Sequence, residues 1–575
     1  MIPWEVGIKA GGMDVTGPSL SKFVSVLYAQ ACEVYCLSFE MISSAEMRKS
    51  MNNKTLSANE VRHIKRNNIV RGTLILTVAG FITRFVGFFY RIFLSNAMGA
   101  ELLGIYQLIF PVYAICYTIY ATGIQTSISR LVAAELARKN PKNVSKILWT
   151  GLILSISLAV ILSILLYFNA DFIARRFLME PRSILSLRIL AIVFPFCGIT
   201  ACINGYYYGL KKAGVPASTQ LLEQVIRVII VYIVALYAGG GEAKVTLGLA
   251  VFGLVIGEVA SSIYNLCSLF LSRPPEELLL NGPDPNAKTD NRSQIIRNLL
   301  TLSVPLSANR LLLSILHSIE AILIPAMLRR FGLTTQEALS TFGILNGMSI
   351  PFIMFPTALI NALAVLILPT ISEAQAVNNN TLIGKTTAIA VKYSIIIGII
   401  STGLFILFGK ELGNTIFHNE LAGSYLLVLA WLCPLIYLTT TLSSIINGLG
   451  KAHITFANSI ISSLCKILLV ILLIPSQGIK GYLIALLIGQ FIVTGLDSYA
   501  VMRNVHFSLN GVDAIVKPGV IIALAGFLLK QSYEYIKKMT HINEVIILLS
   551  FCFILCVICA GLLYITKAVS RKDFR

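Results

Sequence analysis

The chain has 575 residues, of which 56% are hydrophobic and only 13% charged, and its formal net charge is +19. Mean hydropathy is +0.79. Soluble globular chains are about one quarter charged, so these values exclude a soluble enzyme with a single anchor and describe a protein that crosses a membrane many times. The basic residues are spread through short loops between apolar runs. The positive-inside bias produces that pattern and a nucleic-acid footprint does not. Contact with lipid headgroups is expected, and no nucleic-acid partner. Most of the eleven cysteines, Cys197 and Cys202 among them, fall inside apolar runs and read as small hydrophobes. No spacing suggests a disulfide framework or a metal site.

Residues 1–64 differ from the rest and are expected to form a poorly ordered cytoplasmic extension. They lack the basic, apolar and small-residue order of a signal peptide. Met47 and Met51 stand just ahead of the polar, basic segment NNKTLSANEVRHIKRNN. The natural start is expected there, with a disordered cytoplasmic tail as the alternative.

From Arg71 onward about fourteen apolar segments reach spanning length. They run near 71–94, 104–126, 146–168, 184–210, 217–238, 245–271, 297–326, 340–368, 386–408, 422–447, 453–474, 478–500, 514–530 and 543–566. With the N-terminus in the cytoplasm, inner loops and ends hold about 25 Lys and Arg and outer loops about 11, as the positive-inside rule requires. Both termini are then cytoplasmic. The outer loop carrying Arg175, Arg176 and Arg182 runs against this bias.

The first segment, RGTLILTVAGFITRFVGFFYRIFL, contains Arg84 and Arg91. A charge at membrane depth costs several kcal/mol and is kept where it faces a cavity or a partner. The seven-residue spacing puts both on nearly one helix face. Residues 272–296 are the long polar interruption, rich in Pro and Gly, and read as a cytoplasmic linker between halves.

Those halves are related. RGTLILTVAGFITR from Arg71 aligns with RNLLTLSVPLSANR from Arg297, an offset of 226 (297 − 71) that matches Arg84 with Arg310 and Arg91 with His317. GLKKAGVPASTQ from Gly209 aligns with GLGKAHITFANS from Gly448, an offset of 239 (448 − 209) that matches Arg227 with Lys466. The expected architecture is all-α and polytopic. It has a first six-helix repeat over 65–271, a second in the same orientation over 297–505, and two extra helices with a basic tail over 506–575. Substrate sites of such proteins lie near the midplane between repeats.

The stretches GFITRFVGFFYRIFLSNAMG and GIYQLIFPVYAICYTIYATGIQTSISRLVAAELA resemble the stage V sporulation protein B family of polysaccharide and lipid-linked oligosaccharide exporters. That group lies within the multidrug/oligosaccharidyl-lipid/polysaccharide flippase superfamily, with the lipid II flippase as a more distant relative. The resemblance covers about residue 65 to the C-terminus. It implies a fold like that of the multidrug exporters and alternating access in a bacterial plasma membrane. The implied cargo is an undecaprenyl-pyrophosphate-linked saccharide, a peptidoglycan precursor or polysaccharide unit, with the spore cortex as its suggested destination. It also implies a basic central cavity for the pyrophosphate, and cell-wall synthesis proteins as partners.

Arg84, Arg91, Arg310 and His317 are the expected pyrophosphate contacts, because planar multidentate donors suit phosphate oxygens. The alternatives are that Arg91 snorkels to the interface and that His317 packs in the core. Arg227 and Lys466 are further cavity candidates, and Glu223 is spaced to pair with Arg227 on one helix face. Glu320, Glu223 and Glu258 are the coupling candidates for sodium, protons or the membrane potential. Asp497 is a further isolated acid of the kind that can carry coupling protons or sodium, with simple solvation near a cytoplasmic helix end as its alternative. No P-loop, metalloprotease motif or nucleophile–base spacing appears, so no enzyme and no bound cofactor are expected. A multidrug or cation antiporter and a non-transporting scaffold of wall synthesis remain the rival readings.

Overall fold

The structure is a computed structural model that describes residues 58–138, 140–238, 244–271, 290–539 and 543–569, with side chains from residue 75. The described residues are helical and contain no strand. Chain embedded in lipid must satisfy its backbone polar groups internally, and consecutive apolar helices do so. The helices are α1 (Ala58–Tyr117), α2 (Gly123–Ala137), α3 (Pro141–Phe172), α4 (Ile184–Gly209), α5 (Gly214–Ala238) and α6 (Leu247–Leu271). The second half adds α7 (Arg292–Arg330), α8 (Thr335–Gly343), α9 (Ile350–Met354), α10 (Thr357–Ala376) and α11 (Asn380–Phe417). It closes with α12 (Glu420–Leu429), α13 (Leu432–Gly448), α14 (Ala452–Gln477) and α15 (Ile479–Asn504), and two last helices follow, α16 (Lys517–Met539) and α17 (Glu544–Ile565). The described residues from Arg71 onward form one compact unit.

Twelve of the described helices are long and apolar enough to cross a membrane, or thirteen if α12 and α13, bent by 54°, make one span. The difference from the expected fourteen has physical sources. Ile75–Ala137 runs 63 residues, about 95 Å at the rise of an α-helix and far more than one bilayer needs. It turns sharply at Gly99 (φ 78, ψ 169), a conformation open to glycine at little cost. Beyond that turn the chain passes through a π-helical turn, Thr118–Thr122, into α2. The expected eighth segment is also interrupted, by a second π-helical turn at Ile344–Ser349 and by a break before Thr357 at Pro356. Proline removes a helix donor and bends the chain.

The last residues of the expected linker 272–296 are helical. Helix α7 already begins at Arg292, where Asn291 and Gln294 form a capping box, which satisfies orphan N–H groups at the helix start. Residues 272–289 and the tail 570–575 lie outside the described residues, as do 1–57 with the expected start. Helix α1 begins at Ala58, inside the stretch expected to be poorly ordered. The loop arginines that ran against the charge bias are largely neutralised. Arg175 pairs with Asp171 at 2.8 Å, and Arg182 bridges Glu180 and Glu101 at 2.7 Å each.

The halves share a core at one end only. One hydrophobic cluster draws on both halves, from Tyr90 to Val255 and from Ile324 onward. A second cluster is built almost wholly from the first half, around Ile128, Leu148 and Tyr207, and a third only from the second half, around Ile371, Val391 and Ile445. The bundle is therefore joined through a shared core at one end, and at the other the two cores are separate, although α7 packs against α2 and α3 there. At the joined end α1 and α8 cross with backbones nearly touching. A Cβ on Gly104 would lie 2.1 Å from the Leu339 carbonyl oxygen, and one on Gly343 would lie 2.0 Å from that of Ala100. The two glycines are separated by the repeat offset (343 − 104 = 239), so the crossing sits on the axis that relates the halves. Small residues permit such close helix contact in membranes. The seam continues where Thr118 and Ser314 hydroxyls meet at 3.3 Å and where Phe88 packs on Phe352 at 4.7 Å.

Helices α16 and α17 pack on α11. Lys530 bridges to Glu411, donates to the Leu407 carbonyl at 2.9 Å and lies over the Phe408 ring.

Candidate functional site

Arg84 and Arg91 project from α1 and Arg310 from α7, and all three side chains are exposed. Arg84 precedes the shared core, which starts in this helix at Tyr90, and Arg310 precedes Leu316 and Ile324 in α7. Both arginines thus lie on the divided side of the molecule. None of the three has an acidic partner among the described residues. A guanidinium kept at membrane depth without a counterion needs water or an anionic ligand around it. Tyr106 stands within electrostatic reach of both Arg91 and Arg227, tying the arginine stripe to α5.

His317 does not pack in the core. Its side chain is 61% exposed, with Nδ1 3.8 Å from Glu320. Glu320 is 6% exposed. Its Oε2 pairs with Lys466 Nζ of α14 at 2.7 Å, and its Oε1 accepts from the Tyr482 hydroxyl at 3.2 Å. The structure therefore joins a coupling candidate to a cavity candidate. Lys466 also lines a cavity of about 110 Å³ with Ser462 and Gln490.

In the first half Arg227 bonds Glu223, as their spacing predicts. Glu258 on α6 is buried, within hydrogen-bond reach of Cys197 and Ser261 and close to Glu223 and Arg227. Arg227 and Lys466 are thus each paired with a carboxylate, whereas Arg84, Arg91 and Arg310 stand unpaired and exposed. Asn346 and Asn361 donate to carbonyls one turn back in their own helices, so those amide protons are engaged.

The solvated alternative for Asp497 does not hold. Its side chain is 1% exposed. Asn458 donates to Oδ1 at 2.8 Å and Ser443 to Oδ2 at 3.0 Å. Sequence reasoning missed this burial because α13 and α14 extend alongside the end of α15. It also missed Tyr482, whose apolar surroundings give no sign of a carboxylate on another helix.

The sequence pattern of the polysaccharide biosynthesis protein family matches residues 69–375, more than half of the chain. Stage V sporulation protein B of Bacillus subtilis (strain 168) is 26% identical over 474 residues, covering 82% of this chain and 90% of that protein. Lipid II flippase MurJ of the same organism is 22% identical over 445 residues, covering 74% of this chain and 80% of that protein. The solved structure of lipid II flippase MurJ in an inward closed conformation has a TM-score of 0.63 at 15% identity, covering 87% of this chain and 99% of that one. The chain belongs to the polysaccharide biosynthesis protein family, and it is a multi-pass membrane transporter of the flippase kind, not an enzyme.

Proposed function

We propose that this protein moves an undecaprenyl-pyrophosphate-linked saccharide, a peptidoglycan precursor or polysaccharide unit, from the inner to the outer leaflet of a bacterial plasma membrane. The observation that carries this reading is the set of three exposed, unpaired arginines, Arg84, Arg91 and Arg310, drawn from both halves. Arginine offers a pyrophosphate paired donors in a fixed plane. A diphosphate held between α1 and α7 would bridge the halves, so rocking of one half on the other would carry it across. The polyprenyl tail stays in lipid.

With both termini cytoplasmic, the joined end at Gly104 and Gly343 faces outward and the divided end faces the cytoplasm, which suits loading from the inner leaflet. A cation or potential gradient supplies the direction of transport. An antiporter of organic cations would call for an acid-lined cleft, and the unpaired exposed charges here are positive.

The test is flipping of a fluorescent polyprenyl-pyrophosphate saccharide in proteoliposomes, read by quenching from outside. Wild-type protein is expected to expose the label, and Arg84→Ala with Arg310→Ala to slow it at least tenfold. Equal rates in wild type, double variant and empty vesicles would overturn the reading.

A further inference from the structure

We propose that Gln224, lodged against Gly87, contacts the first sugar of the lipid-linked saccharide and so distinguishes the two ends of the diphosphate. This role rests on the flippase activity proposed above. The arginines alone give the cargo no direction. The two phosphates of a diphosphate are alike, and Arg84 and Arg310 are repeat mates that present the same group from either half. One end of the cargo must nevertheless lead to the polyprenyl tail in lipid and the other to the saccharide in the cleft. A contact that only one half can make sets that direction.

Such a contact lies one turn from Arg84. At about 100° per residue, Gly80, Arg84, Gly87 and Arg91 fall within about 60° of one another, so one face of α1 alternates glycine with arginine. The face is open at Gly80, where a Cβ would meet nothing within 4 Å. At Gly87 a side chain of α5 reaches in. A Cβ there would lie 2.7 Å from Gln224 Nε2, so the glycine leaves the carboxamide its place. The neighbouring Glu223 is bound to Arg227. The Gln224 carboxamide makes no hydrogen bond among the described residues, and the residue is partly exposed. A side-chain amide at membrane depth needs a hydrogen-bonding partner. It offers donors and an acceptor together, which suits the hydroxyl and acetamido groups of a sugar, whereas arginine offers donors alone.

Depth supports the same occupant. Gly87 lies beyond Arg84 toward the joined end, by about 4.5 Å along α1. A sugar bonded directly to a diphosphate held at Arg84 and Arg310 comes within reach of that position. The second half lacks the arrangement. The repeat mate of Gly87 is Leu313 (313 − 87 = 226), and that of Gln224 is Ser463 (463 − 224 = 239), which is buried. An apolar side chain stands where the first half has its glycine, and a short hydroxyl where it has its amide.

The test is native mass spectrometry of the purified full chain in competition between two probes, a polyprenyl diphosphate and the same lipid carrying one N-acetylhexosamine. Wild type is expected to favour the sugar-bearing lipid at least fivefold. Gln224→Leu, and Gly87→Ala through displacement of the amide, are expected to bring that preference below twofold. Ser463→Ala is expected to keep it. Retention of the bare diphosphate lipid shows that a variant is folded. A preference as strong in either cleft variant as in wild type, or none in wild type, overturns the assignment of Gln224 and leaves the arginine site standing. Failure of wild type to bind either lipid overturns the arginine site and the role of Gln224 with it.

Discussion

Placing a methyl group at the crossing of the halves should change which end of the protein opens. A Cβ on Gly343 would sit 2.0 Å from the Ala100 carbonyl oxygen and 2.6 Å from the Gly104 nitrogen. Both atoms are backbone and cannot rotate aside. Reaching the 3.4 Å at which ordinary contact begins requires the helices to part by about 1.4 Å (3.4 − 2.0). Overpacking of this kind costs about 2 kcal/mol. In a transporter that alternates between end states, the cost falls on the state that contains the crossing. The population should then shift about 30-fold toward the state open at that end. Spin labels at Arg176 and Gln336, exposed sites on opposite halves near this end, report the change by double electron–electron resonance. Gly343→Ala and Gly104→Ala should each move the distribution to longer distances. Gly347→Ala, whose Cβ would meet only the Leu103 side chain at 2.4 Å, should move it less. Gly80→Ala, with nothing within 4 Å, should leave it in place. Identical distributions in all four variants and wild type would refute the claim that this crossing holds the end shut.

Lys466→Met should strand the Glu320 carboxylate and lower stability by about 3–5 kcal/mol, and adding Glu320→Gln should restore most of it; thermal unfolding in detergent checks both, and an unchanged midpoint in the single variant would contradict the pairing. Lys530→Met should leave Glu411 and the Leu407 carbonyl without their donor and loosen α16 from α11, read as faster amide exchange over 517–539. Unaltered exchange there would show that apolar packing alone seats the last helices. We propose that these two helices also form a lipid-facing groove for the polyprenyl tail, so removal of about 514–566 should abolish flipping; transport left intact would refute that role.

How much of the site is legible in the sequence depends on whether partners lie on one helix or on two. Glu223 and Arg227 share a helix turn, so their pairing follows from spacing. Arg84 and Arg310 stand out because charge is rare in apolar runs, and the offset of 226 relates them from the amino-acid sequence alone. The Lys466–Glu320 pair is hidden there because its members come from different helices and are not repeat mates. The solvated alternative for Asp497 fails for a related reason: distance from a helix end predicts solvation only when neighbouring helices end at the same level. The span count is obscured by local backbone events. Gly99 turns within a helix that otherwise continues, and Pro356 breaks a segment whose apolar pattern runs on.

The central claim is that an anionic diphosphate rests on the unpaired arginines, and native mass spectrometry of the purified protein tests it most directly. The account predicts that wild type retains a polyprenyl-pyrophosphate species and that Arg84→Ala and Arg310→Ala each lose it, while Lys530→Met keeps it. Retention by all of them, or by none, would contradict the account and make the arginines structural.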